Sequence, residues 1–100
     1  MHTWYQYYKL EASQLERAQL GFAQMRAHLA KLGFYGELQL KQDAAEQLTL
    51  LEVWRMLDVC KLDPGHVPEL LQVSAAASGL DLFGVRHIEH FVSLECAPCV

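Results

Sequence analysis

Apolar positions along the chain change period several times, and each change marks an element. In "TWYQYYKL", Trp4, Gln6, Tyr8 and Leu10 fall on one side of an extended chain and Tyr5, Tyr7 and Lys9 on the other, which predicts a strand with bulky residues on both faces. From Ser13 the spacing becomes three and four. Leu15, Ala18, Phe22, Met25, Leu29 and Leu32 form one stripe along a helix, with Ser13 and Glu16 fitting a capping box and Gly33 the stop. "GELQLKQD" alternates again, and "DAAEQ" reads as a turn. "LTLLEVWRML" puts Thr49, Leu51, Val53 and Leu57 on one face and Leu48, Leu50, Glu52, Trp54 and Met56 on the other. After the Pro64–Gly65 loop, "VPELLQVSAAASGL" returns to helical spacing and stops at Gly79. "GVRHIEHFVSL" closes the series as a fourth strand.

The order strand, helix, strand, strand, helix, strand predicts a ferredoxin-like βαββαβ fold of the α+β class, a four-stranded antiparallel sheet with two helices on one face. One domain over residues 1–95 with a tail at 96–100 accounts for the chain. Two helices cover only one face of such a sheet. Apolar residues on the other face would leave a patch too large for a monomer, which predicts a homodimer packed sheet against sheet.

Composition narrows the function classes. Hydrophobic residues make up 52% of the 100 residues and charged residues 20%, so the chain has more to bury than an ordinary small core. A net charge of −4 supplies no basic field for nucleic acid or anionic membrane, and neither is an expected partner. No apolar run approaches a membrane span and the first residues lack the order of a signal peptide, which predicts a cytoplasmic protein. Hydrolase, kinase and dehydrogenase motifs are missing, so those readings have no support.

"LEVWR", "DPGHVPELLQ" and "VRHIEHF" together resemble the dimeric α+β barrel superfamily, which includes the antibiotic-biosynthesis monooxygenases, and within it a small bacterial family of uncharacterised domains. Glu52 and Trp54 resemble the superfamily's E-x-W pair. The resemblance implies a cavity between sheet and helices near Trp54, with His66 at the head of the second helix. Some members of that superfamily oxidise substrates without metal or flavin and others bind haem; no cofactor is assigned to this chain.

Several residues are candidates for chemistry. Glu52, between Leu50 and Trp54 on an apolar face, must be paired, hydrogen-bonded or kept protonated. With Trp54 it forms the candidate catalytic pair, Glu52 as general base; the bland alternative is an ion pair with Arg55, Arg86 or a partner chain. Tyr5, Tyr7, Tyr8, His66 and His87 are candidates for binding a small aromatic ligand, although such aromatics are more often core. His87, Glu89 and His90 cannot close on one metal ion from a strand, because His90 points away from the other two. Cys96 and Cys99 have C-x-x-C spacing without a following helix to activate a thiol, and no metal site is expected there. The reading adopted is a homodimer binding a small apolar or aromatic ligand; the alternatives are a cofactor-independent monooxygenase and a structural dimer without a pocket.

Overall fold

The computed structural model describes residues 1–94. Its elements are β1 (His2–Glu11), α1 (Leu15–Ala30), β2 (Phe34–Gln42), β3 (Gln47–Met56), α2 (Val67–Ala77) and β4 (His87–Val92), with short 3-10 turns before each helix and after α2. The four strands form one antiparallel sheet in the order β2-β3-β1-β4. This is the ferredoxin-like α+β fold. The two cysteines of the C-x-x-C spacing, Cys96 and Cys99, lie outside the described residues.

Alternation along the strands decides which side chains reach the helices. Trp4, Tyr8 and Leu10 of β1 and Leu48, Leu50 and Trp54 of β3 are buried with Ala18, Phe22, Met25 and Leu29 of α1 and with Val67, Leu71 and Ala75 of α2. The predicted α1 stripe is therefore the buried one, except Leu15, which is partly buried, and Leu32, which lies beyond the helix end and is exposed.

Element ends differ from the sequence reading, and two of the differences have a visible cause. The cap of the first helical segment is made by Glu11 and Gln14 rather than Ser13 and Glu16: the Glu11 backbone N–H donates to Gln14 Oε1 at 2.9 Å. A 3-10 turn over Ala12–Gln14 precedes α1 and moves the chain's entry back by two residues. β2 begins at Phe34, directly after the left-handed Gly33 (φ 96°), because Phe34 packs into the core.

Gly36 is set by its neighbour across the ladder. It faces Trp54, and a Cβ at this position would come within 2.4 Å of the indole ring. The missing side chain lets Trp54 lie against β2, fully buried, with Phe22 of α1 5.2 Å away between ring centroids. Trp4 is equally buried, but its indole N–H has no partner among the described residues. No helix of the described residues is long and apolar enough to cross a membrane.

Candidate functional site

Glu52 sits on the helix-facing side of β3, fully buried, where a lone carboxylate would be strongly disfavoured. Its neighbours supply donors. Trp54, two residues along the same face, donates Nε1–H to Oε1 at 3.1 Å, and the Tyr8 hydroxyl donates to Oε2 at 2.7 Å. Arg86 supplies the countercharge, with Nη2 2.8 Å from Oε1.

Strand register explains why Arg86 arrives there. Gln6 lies opposite Glu52 on one side and Ile88 on the other, so β1 separates the two strands by one ladder each way. Arg86 precedes β4 by one residue and reaches inward across Tyr8, its guanidinium carbon 4.6 Å from the ring centroid. The same Nη2 donates to Gln6 Oε1 at 2.7 Å, and Nη1 donates to the Leu80 carbonyl at 3.4 Å. One guanidinium thus ties β1, β3 and the turn after α2 together. Burial raises the Tyr8 hydroxyl well above the ordinary phenol value, and the Glu52 carboxylate beside it adds to the effect, so Tyr8 remains a donor.

Gln6, itself buried, and the partly buried Arg86 also face open space. They line a cleft of about 640 Å³ between α2 and the start of β4, with Phe83, Ile88, Val85, Ala75, Ala76 and Pro68 as its apolar wall and Glu69, Gln72 and Asp81 as further polar lining. Glu52 does not line it. The Arg86 side chain is 13% exposed, whereas that of Glu52 is fully covered.

The remaining sequence candidates are divided between two faces. Tyr8 belongs to the helix side with Glu52. Tyr5, Tyr7 and His87 lie on the opposite, helix-free face: Tyr7 stacks on His87 at 5.1 Å and donates its hydroxyl to Glu89 Oε1 at 3.1 Å, and Tyr5 meets Phe91 edge-on. That carboxylate bond raises the Tyr7 hydroxyl above its ordinary value. Tyr7, Tyr8 and His87 nevertheless line one hollow of about 420 Å³ with Lys9, Lys41, Asp43, Thr49 and Val85, whereas Tyr5 and His66 do not line it. His66 is exposed in the 3-10 turn before α2 and does not line the cleft. The cavity implied next to Trp54 is filled by Phe22 and the Gly36 backbone, and the open space lies one layer away, beyond Gln6 and Arg86.

His90 points to the helix side, as the strand alternation requires, where it stacks on Trp4 at 4.5 Å and shares a hydrogen bond with His2 at 2.9 Å. No group of three His, Cys, Asp or Glu side chains among the described residues could hold a metal ion. Sequence reasoning did not single out Gln6, Phe83 or Asp81. The signal available for Gln6 was a polar residue on the apolar face of the first strand.

Sheet order and helix placement define a ferredoxin-like α+β fold, the fold of antibiotic-biosynthesis-monooxygenase-like proteins. Solved structures bear this out. The chain matches a point mutant of SnoaB, a cofactor-independent oxygenase from Streptomyces nogalater, with a TM-score of 0.55 and 20% identity over 97% of this chain and 96% of that one. A second SnoaB structure matches with a TM-score of 0.52 and 17% identity over 97% of both chains. A candidate antibiotic-biosynthesis monooxygenase from Caulobacter crescentus CB15 matches with a TM-score of 0.54 and 18% identity over 94% of this chain and 90% of that one. At these identities the likeness is one of fold. No protein-family model matches the chain, and no curated protein matches its sequence.

Proposed function

We propose that this protein works as a homodimer that takes a small, flat, largely apolar molecule into the α2–β4 cleft and oxidises it with molecular oxygen, without a cofactor. The observation that carries the reading is the cleft itself: an apolar wall facing one guanidinium that three buried acceptors hold in place. The fold shared with a cofactor-independent oxygenase supports the chemistry by analogy.

The reaction balances without an outside reductant if the substrate carries an activated methylene beside a phenol or ketone. The carbon loses two hydrogens and becomes a carbonyl, one oxygen atom of O2 enters the product and the other leaves as water. Arg86 donates to the substrate oxygen on which charge develops as the carbon is deprotonated, an interaction that strengthens toward the transition state. Glu69 and Asp81, which also line the cleft, are the carboxylates that accept the proton in this reading. Both oxygens of Glu52 are already acceptors, which supports a role in holding Arg86 over the role of general base.

Support for the dimer comes from the helix-free face. Tyr5, Tyr7, Leu51 and Phe91, with the Glu89 carboxylate, line a hollow of about 410 Å³ there. A second copy laid on that face covers it.

An oxygen electrode tests the proposal with a panel of phenols and ketones bearing an activated methylene. Uptake that saturates with substrate and falls at least tenfold in Arg86→Met is the result expected. Saturable binding with no uptake by the wild-type would leave a binding protein and refute the oxygenase.

A further inference from the structure

Arg86 faces the cleft with its charge already answered. Glu52 lies 2.8 Å behind it, fully buried, and the remaining ties of the guanidinium, Gln6 and the Leu80 carbonyl, are neutral. Seen from the cleft, this guanidinium offers N–H donors with little net positive charge. Any anion placed against Arg86 also lies within a few ångströms of a carboxylate that has no exposure to water and little screening.

We infer that Glu52 is a positioning residue that sets the charge preference of the cleft: it makes Arg86 a receptor for a neutral oxygen acceptor, a ketone or un-ionised phenol, and a poor receptor for a carboxylate or phosphate. This rests on the cleft being the binding site. Arg86 touches the ligand, and Glu52 acts through it. The arrangement also fits an oxidation in which charge appears only during reaction, because a substrate anionic from the outset would gain little on entering. Glu69 and Asp81 on the same wall act in the same direction, and neither has a basic side chain within 4.0 Å among the described residues.

The consequence runs opposite to that of removing a general base. Glu52→Gln keeps an oxygen acceptor for Arg86 and Trp54 but uncovers the guanidinium charge, so anionic ligands gain. A unit charge about 6 Å away, at an effective dielectric near 20, changes an anion's affinity by roughly ten- to a hundredfold. Gln6→Glu, which adds a second carboxylate against Arg86, shifts the preference the other way.

The test measures dissociation constants by calorimetry for two probes of matched shape, 2-acetylnaphthalene and 2-naphthoate, with wild-type, Glu52→Gln and Gln6→Glu proteins whose folding is checked by circular dichroism. The wild-type is expected to favour the ketone, Glu52→Gln to move the ratio at least tenfold toward the carboxylate, and Gln6→Glu to move it toward the ketone. Should Glu52→Gln fail to fold, Gln6→Glu alone decides. Ratios unchanged within threefold, or moving in the same direction in both variants, overturn the inference. Failure of the wild-type to bind either probe overturns the cleft as the site, and this inference with it.

Discussion

Replacing Arg86 with methionine removes the one charged partner, among the described residues, of a carboxylate that has no access to water. The native site gives Glu52 three donors, Arg86 at 2.8 Å, Tyr8 at 2.7 Å and Trp54 at 3.1 Å. In Arg86→Met only the two neutral donors remain, and Gln6 and the Leu80 carbonyl lose their donor as well. Breaking a buried pair from one side costs about 3–5 kcal/mol, mostly because the surviving charge is stranded. Methionine fills similar volume, so little of the loss arises from packing. For a domain of this size about 3 kcal/mol corresponds to a fall in Tm of roughly 12–24 °C. Scanning calorimetry at fixed protein concentration measures it. Removing both charges in Glu52→Leu/Arg86→Met should restore much of the lost stability, since no ion is then left unpaired. A fall of less than about 4 °C in Arg86→Met, or a double variant no better than the single one, would refute the claim that this pair is a buried, mutually dependent unit.

Gly36→Ala should lower stability by about 1–3 kcal/mol in urea unfolding, because the new Cβ must displace the buried Trp54 ring. Tyr8 makes an alkaline prediction: its folded-state value lies above the ordinary phenol value of 10.0, so the native state holds the proton more tightly than the unfolded chain. Its contribution is complete below about pH 10 and is lost as pH rises further; comparing wild-type with Tyr8→Phe across about pH 9–12 should show a flatter decline in the variant. Phe91→Asp should convert the proposed dimer to a monomer of 11.4 kDa by light scattering, since it puts an unpaired charge on the helix-free face; a wild-type that is itself monomeric would sink the proposal.

Much of the fold was legible because the strands carry large apolar side chains on strict alternation. Trp4, Tyr8 and Leu10 on one side and Tyr5 and Tyr7 on the other assign the faces of β1 without any tertiary information. The candidate site was legible only in part. A carboxylate between Leu50 and Trp54 announces that Glu52 needs a partner, but Arg55, Arg86 or a partner chain could each have served. Selection of Arg86 depends on β1 lying between β3 and β4, which no local pattern encodes. The cleft was not legible at all: it forms where the turn after α2 and the approach to β4 part around Phe83 and Gly84, a matter of backbone path. Ile88 lines that cleft because it pairs with Gln6 on the helix side.

The position of a bound aromatic ligand decides between the two faces of the sheet, and amide chemical-shift mapping of isotope-labelled protein titrated with 2-acetylnaphthalene reads that position directly. Saturable shifts centred on Gln6, Ala75, Phe83, Gly84 and Arg86 are the expected result. Shifts centred instead on Tyr5, Tyr7, Leu51 and Phe91 would place the ligand on the helix-free face and contradict the cleft as the binding site.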